Sequence, residues 1–522
     1  MSGKTAALSD LPSAQPAECP VEYADRLARW YGSRIDDDHR RLHGYYLTPV
    51  GVAKFMADLS LCEYQSVVRV VDPAAGTGIL AAATCSEFAN RENKPSRIQL
   101  TCYELDSDLR PALRALLAHL TRWLARRRVK LDYRVEWRDF VLTNAGALEG
   151  GILPSGEPKY DVVIANPPYF KVSKSDPRAQ AASWVVKGQP NIYGLFMAVS
   201  AALLREGGSF TFITPRSFAS GPYFQRFRDV FFSLIKPTHI HVFNSRTEAF
   251  DEVLQETLIT AGKRETLWGR KEKAASVNIS SSGGAADIND RFTRELPLTQ
   301  VLRHDRTQQI LHLPADEQDD HVRKIVGEWT GSLHAYGWEV STGPVVAFRA
   351  REFLRDKCDR NVAPLLWLQH VKPMALAWPL NVSKREFIAD NVASRKLLLP
   401  NKNYVVLRRF SAKEERRRLT AAPYLAKRFN YPRVGLENHL NYIWRRDGLL
   451  SEAEVFGLAA LLNSALLDRY IRVSSGNTQV SATELRAMPL PAREVIKRIG
   501  KRAARCTESH EQIVAEELGH GK

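Results

Sequence analysis

From Val67 to Gly262 the chain repeats one pattern seven times: a short run of β-branched and aromatic residues, followed in most cases by a helical stretch. The runs are SVVRVVD, IQLTCYELD, YRVEWRD, YDVVIAN, GSFTFITP, HIHVFN and ETLITAG. Strands this apolar need cover on both faces, so the pattern predicts a mostly parallel α/β sheet with helices above and below it. The last two runs, joined by Ser245 to Gln255, predict an antiparallel hairpin at one edge.

At 522 residues the chain exceeds what a single core supports, and two domains are expected. Residues 1–20, rich in Pro, Ala and Ser, read as a disordered tail, and Val21 to Arg41 as a charged amphipathic helix. The first domain spans 21–265. A linker is expected over 266–295, where NISSSGGAADIND (Asn278 to Asp290) is rich in turn residues. Beyond it the alternation is lost, which predicts a mixed α+β domain over 296–492 and a charged helical tail over 493–522.

The N-terminus lacks the basic-then-apolar order of a signal peptide, and no long uncharged apolar run occurs, so a soluble cytoplasmic protein with no membrane partner is expected. The six cysteines include no CxxC pair, which argues for reduced, structural thiols and no thiolate metal site. The net charge of +16 is unevenly placed. Residues 1–265 carry 33 Lys and Arg against 29 Asp and Glu, a net of +4, and the remainder carries 41 against 29, a net of +12. The second half is the expected polyanion binder.

The segment VVRVVDPAAGTG, Val67 to Gly78, is a buried strand running into a small-residue turn and a helix, the place where open α/β sheets bind ligands. The next strand ends in Glu104, whose carboxylate can accept both hydroxyls of a ribose. The third ends in Asp139 and Phe140, an acid for an adenine amino group and a ring for its face. Together the three strand ends favour a nucleoside-containing cofactor.

The fourth strand ends in Asn166-Pro167-Pro168-Tyr169. An Asn/Asp/Ser-Pro-Pro-aromatic sequence should arise by chance in only about one or two per cent of chains this long. An exocyclic amino nitrogen is a poor nucleophile, because its lone pair is delocalised into the ring. Two acceptors for its hydrogens, the Asn166 side-chain oxygen and the Pro167 carbonyl, would localise that pair on nitrogen. The prolines stiffen the turn, and Tyr169 offers a face on which a flipped base can stack.

With these motifs in this order, the chain resembles the gamma class of amino-methyltransferases of bacterial restriction-modification systems, from Gly44 to Gly262 and more faintly near Ser474 to Pro491. The resemblance implies a Rossmann-like class I methyltransferase domain with a seven-stranded sheet, a C-terminal target-recognition domain and S-adenosylmethionine as cofactor. It implies that Thr48, in Gly44-Tyr-Tyr-Leu-Thr-Pro49, touches the methionine end of that cofactor. By the same carry-over Asp72, Ala74, Gly76 and Gly78 line the cofactor, Glu104 takes its ribose, Asp139 and Phe140 take its adenine, and Asn166 stands beside it. In ITPRSFASGPYFQRFR the aligned base-stacking ring is Phe224, with adjacent Tyr223 as competitor. An Asn-led motif implies adenine N6 in duplex DNA; a Ser-led one would imply cytosine N4. Carbon-5 methylation is excluded, because none of the cysteines follows a proline. A separate cognate endonuclease is the implied partner, a monomer is expected, and the bacterial nucleoid is the expected location.

Between Lys402 and Arg446 there are twelve Lys and Arg against three acids, interleaved with Tyr404, Phe410, Tyr424, Phe429, Tyr431, Tyr442 and Trp444. Such a mixture suits phosphate contact and groove insertion, so Arg416, Arg417 and Arg418 are expected on DNA. Asn477, Thr478 and Gln479 either read bases or cap the helix that starts near Ala482. The rival substrates are RNA and a glutamine of a release factor, against which the long basic C-terminal half speaks. A fused nuclease is not expected, since about 40 residues precede the first motif and no PD-ExK pattern follows.

Overall fold

Every residue of the run YDVVIA is buried in its strand, Tyr160–Ala165, as expected of a strand covered on both faces. This strand, β4, lies inside a nine-stranded sheet of order β3-β2-β1-β4-β5-β7-β6-β8-β9. The others are β1 (Val67–Asp72), β2 (Arg97–Tyr103), β3 (Lys130–Glu136), β5 (Leu204–Pro215), β6 (Ile235–Phe243), β7 (Thr257–Arg264), β8 (Ser276–Ser282) and β9 (Phe292–Pro297). Strands β3 to β5 run parallel, and β7 enters antiparallel between β5 and β6. The molecule is described here from a computed structural model covering all residues except 1–9, 16, 37, 41–46, 64, 149–159, 187–189, 221, 244–256, 266–274, 306–307, 314–316, 381–383, 412–416, 475–479, 506–508 and 520–522.

The helices that cover the sheet follow from local sequence. Pro20 opens α1 (Pro20–Gly32), and Pro49 precedes α2 (Val50–Leu59). Helix α3 (Ile79–Asn90) reads ILAAATCSEFAN, apolar on nearly every side, and is buried along most of its length. Helix α4 (Arg110–Ala125) instead buries one stripe, including Leu113, Leu116, Leu117, Leu120 and Leu124. The short helices α5 (Phe140–Asn144) and α6 (Pro177–Ala181) and the longer α7 (Ile192–Leu203) and α8 (Gln225–Leu234) follow.

Several expectations about the first domain are corrected. Within the expected linker, the described residues from Ala275 on are not a linker: β8 pairs parallel with β6, and β9 closes the edge antiparallel to β8. Buried His239 and His241 bracket the Ser280 hydroxyl at 2.7 and 2.9 Å, and burial holds their pKa values down at about 4 and 3. The hydroxyls of Ser280 and Ser282 in NISSS therefore satisfy histidines, which is why a stretch that reads as a loop is a strand. The sheet consequently has nine strands, and the β6/β7 hairpin is internal to it. The described residues of the N-terminal tail are docked too: the Tyr23 hydroxyl donates to the Pro12 carbonyl at 2.8 Å, and Arg26 pairs with Glu18 at 2.7 Å.

The chain divides into two compact units, residues 1–315 and 316–522, so the boundary lies some 20 residues beyond the expected linker. The second unit holds a four-stranded antiparallel sheet ordered β10-β13-β11-β12, made of β10 (Trp338–Thr342), β11 (Tyr404–Arg408), β12 (Ala421–Tyr424) and β13 (Leu440–Arg445). A five-stranded sheet of shorter strands accompanies it. The unit also holds a helix at Glu317–Gly327 and helices α9 (Glu452–Leu462), α10 (Ala465–Ser474), α11 (Ala482–Ala487), α12 (Arg493–Ala503) and α13 (His510–Glu517). The last two occupy the expected charged tail, yet Ile496, Ile499, Ala503, Ile513 and Val514 are buried in the unit's core. Residues 493–519 are therefore part of this unit rather than an appendage.

Candidate active site

A cavity of about 490 Å3 opens at the carboxyl ends of β1 to β4. The volume lies in the range of small-ligand sites. The position is the crevice beside β1 where the strand order reverses toward β4, the usual ligand site of an open α/β sheet. Of the expected cofactor residues, Thr48, Ala74, Gly76, Glu104, Asp139, Phe140 and Asn166 line it.

The turn after β1 explains the others. Asp72 is fully buried beneath the cavity and does not line it; its Oδ1 accepts from the Ala74 amide at 3.2 Å. Its Oδ2 is buried without a hydrogen-bond partner, and burial pushes the carboxyl up to about 7. Gly78 caps α3 in the left-handed region at φ 89°. A Cβ there would come within 2.6 and 2.9 Å of Leu116 and Leu113, so this glycine serves helix packing rather than ligand contact.

Glu104 is held from both sides: Oε2 accepts from the Gly76 amide at 2.7 Å, and Oε1 from Asp106 at 2.8 Å. Burial still pushes its carboxyl up to about 7. A carboxylate so fixed, in a cavity wall with apolar Leu105, Ile79 and Leu80, fits a ribose with its two vicinal hydroxyls. The walls thus suit a nucleoside ligand on the chemistry of their own groups. Asp139 caps α5 through Oδ1, accepting from the Leu142 amide at 2.9 Å, while its Oδ2 stands 3.8 Å from Arg178. Phe140 is nearly fully buried, wedged between Tyr103 and Phe196 at 5.1 and 5.3 Å between ring centres.

Asn166 follows β4 directly. Its Nδ2 donates to the Thr48 hydroxyl at 3.0 Å, and its Oδ1 accepts from the Tyr169 hydroxyl at 2.5 Å. Pro168 lines the cavity, and Pro167 is buried behind it. Phe224 does not reach the cavity: it is half-buried, stacked on buried Tyr193 at 5.6 Å. Tyr223 beside it is 67% exposed. Sequence reasoning missed Leu105, Asp106, Phe170 and Arg178 among the lining residues. The first two adjoin Glu104 and were legible by proximity; Arg178 arrives from α6, with no local signal. Among the described residues no cluster of His, Cys, Asp or Glu could hold a metal ion.

In the second unit the expected DNA contacts fare differently. Arg416, Asn477, Thr478 and Gln479 lie outside the described residues. Arg418 is 2% exposed, and its backbone and that of Leu419 donate to Asp468. Arg417 pairs with Glu511 at 3.1 Å and donates to the Asn463 carbonyl. Arg418 is thus buried, which corrects the expectation that it contacts phosphate, and the partly exposed Arg417 is engaged with the helices. The aromatics interleaved with them are core as well: Tyr404, Tyr424, Phe429 and Tyr442 pack on one another, with Tyr424 and Phe429 stacked at 4.5 Å. The helix near Ala482 is capped by Ser481, whose hydroxyl accepts from the Glu484 amide at 3.1 Å.

A sheet ordered β3-β2-β1-β4-β5-β7-β6, with one antiparallel strand inserted and a nucleoside-type cavity beside an Asn-Pro-Pro-Tyr turn, defines a class I methyltransferase fold. Sequence comparison with known proteins agrees in kind. The model of a family described as Eco57I restriction-modification methylase matches residues 98–250. The chain is 32% identical over 485 residues to the type II methyltransferase M.PstI of Providencia stuartii, covering 91% of this chain and 92% of that one. It is 31% identical to M.BsuBI of Bacillus subtilis, covering 88% and 89%. A type I restriction-modification methyltransferase subunit from Streptococcus thermophilus, of known structure, superposes with a TM-score of 0.35 at 17% identity, over 58% of this chain and 57% of that one. The chain belongs to the type II restriction-modification methyltransferases and is a DNA methyltransferase.

Proposed function

We propose that this enzyme transfers a methyl group from S-adenosylmethionine to the exocyclic N6 of an adenine flipped out of duplex DNA. The observation that carries the reading is Asn166, which directly follows the central strand with its amide at the wall of the cavity and bound to both Thr48 and Tyr169. When bound, the cofactor supplies an electrophilic methyl on a sulfonium. Glu104 would take its ribose hydroxyls, and Asp139, Leu105 and Phe140 would frame its adenine. Asp72 and Gly78 shape the turn beneath without touching it.

The chain's own groups supply the rest. Asn166 Oδ1 and the Pro167 carbonyl accept the two hydrogens of the target amino group and concentrate its lone pair toward the methyl. Tyr169 provides the stacking face, and the rigid Pro-Pro turn keeps both acceptors in register. No covalent enzyme intermediate is needed; transfer rests on positioning. The enzyme acts as the protective half of a restriction-modification pair, as a cytoplasmic monomer beside a separate endonuclease. No described helix is long and apolar enough to cross a membrane.

The test is to methylate duplex DNA with labelled cofactor, digest to nucleosides and identify the product by mass spectrometry. N6-methyladenine is expected. N4-methylcytosine would move the target to the other amino base, and label in RNA or protein alone would overturn the reading.

A further inference from the structure

We propose that Thr48 is a positioning residue for methyl transfer, acting through Asn166 rather than on the cofactor alone; the inference rests on the role assigned to Asn166 above. An asparagine side chain is nearly symmetric in shape but opposite in polarity at its two ends. Catalysis needs the oxygen toward the target, because an amino group offers donors and the NH2 end would meet it with donors too. That orientation turns Nδ2 away into protein, where it needs an acceptor. The Thr48 hydroxyl stands there at 3.0 Å and is itself only 7% exposed.

The acceptor is also held firmly. Thr48 immediately precedes Pro49, the cap residue of α2, and α2 buries Val52, Ala53, Phe55, Met56 and Ala57 in the core on one face of the sheet. A residue 118 positions from Asn166 in sequence is thus fixed relative to the end of β4 by packing of a whole helix. The far end of the amide bonds the Tyr169 hydroxyl at 2.5 Å, consistent with an oxygen on that side. If Thr48 lacked its oxygen, the part-buried Nδ2 would lose this partner in the catalytic orientation, and the amide would turn toward arrangements that cannot accept from the base.

The full-length enzyme tests this. Single-turnover methylation of duplex DNA and calorimetric cofactor binding are measured for Thr48→Val, Thr48→Ser, Asn166→Ala and the Thr48→Val/Asn166→Ala double variant. Valine keeps the shape and removes the hydroxyl; it should slow transfer about 10-fold or more while cofactor affinity stays within about 2-fold. Serine should restore transfer, and the double variant should be no slower than Asn166→Ala. Thr48→Ala repeats the contrast should the valine variant fold poorly, as judged by melting temperature. Wild-type transfer in Thr48→Val, a defect confined to cofactor affinity, or an undiminished further loss on the Asn166→Ala background would each overturn the role of Thr48 while leaving Asn166 in place. Full transfer by Asn166→Ala would instead remove the catalytic reading, and this inference with it.

Discussion

The Tyr169 hydroxyl donates to Asn166 Oδ1 at 2.5 Å and also lies 3.0 Å from the carbonyl oxygen of Ile213. On the proposed mechanism, the acceptor that the target amino group needs is therefore engaged by the residue whose ring is to stack on the base. Entry of the base must displace that hydroxyl. Phenylalanine at 169 keeps the ring and removes the competitor, worth about 0.5–1.5 kcal/mol, so Tyr169→Phe should hold the flipped base a few-fold tighter with turnover retained. Tyr169→Ala should lose both stacking and turnover. Fluorescence of 2-aminopurine at the target position, read beside kcat/KM, separates the two; equal losses in both variants would mean that the hydroxyl serves catalysis itself.

Glu104 makes a pH prediction with two opposite signs. Burial raises its carboxyl to about 7 from the ordinary 4.5, and Asp72 rises likewise to about 7 from 3.8. A folded-state value above the unfolded one means that the folded protein holds more protons between the two, so these groups stabilise fully below about pH 4 and that contribution is lost as pH rises through about 7. Melting temperature of the cofactor-free enzyme should fall across pH 5 to 8, less steeply in Glu104→Gln. Cofactor affinity should rise over the same range, because the ionised carboxylate is the better acceptor for ribose hydroxyls. Glu104→Ala should cost about 1.5–3 kcal/mol of cofactor binding by calorimetry, and unchanged affinity would leave Glu104 as a buried acid that merely organises the Gly76 turn.

The stacking ring on the far side of the base is open to a direct comparison. Phe224 is stacked on Tyr193, and Tyr193 in turn meets Tyr169 edge-on at 6.4 Å. A ring so engaged must repack to meet a base, whereas Tyr223 is exposed as it stands. Tyr223→Ala should therefore weaken retention of the flipped base by about 1–3 kcal/mol, the ordinary worth of one base-aromatic stack, with melting temperature unchanged. Phe224→Ala should lower the melting temperature, through loss of packing against Gly194 and Phe227. The reverse pattern in the two melts and the two fluorescence titrations would restore Phe224 as the stacking ring.

How much could be read from the sequence depended on whether the signal was local. The β1 turn, Glu104, Asp139 and the Asn-Pro-Pro-Tyr turn each sit at the end of one apolar run, so strand periodicity alone placed them at a common edge. The contacts that were not legible are those whose partner is distant. Ser280 reads as loop until His239 and His241 are beside it. Arg178 reaches Asp139 across 39 positions, and Arg418 is buried against Asp468, 50 positions on. Charge runs misled most: the aromatic and basic stretch after Lys402 looked like a groove-binding surface, yet Tyr404, Tyr424, Phe429, Tyr442 and Trp444 pack in a core, Arg417 binds an acid and a carbonyl, and Arg418 is buried.

That correction makes helix α12 a test of stability rather than of solvation. Helix α12 was expected to be a charged tail, but it crosses α9 at a contact between Gly457 and Gly500. A Cβ at Gly500 would lie 1.7 Å from the Ala453 carbonyl oxygen, and one at Gly457 would lie 1.9 Å from that of Ile496. Both clashes are with backbone, so no side-chain rotation relieves them and the helices must move apart. The same interface buries Glu454, which receives Arg493 at 2.6 Å and Arg445 at 3.1 Å. Overpacking of a tight core typically costs about 1–3 kcal/mol, and separating this ion pair from its partners adds to that. Gly500→Ala should therefore lower the melting temperature of the second unit and weaken duplex binding in proportion to unfolding, with cofactor affinity of the first unit intact. Lys497→Ala, on the same helix at its partly exposed face, should do neither. The decisive observation is differential scanning calorimetry of the two variants. If Gly500→Ala melts like the wild type, the α9–α12 contact is looser than drawn and the tail reading of residues 493–522 returns.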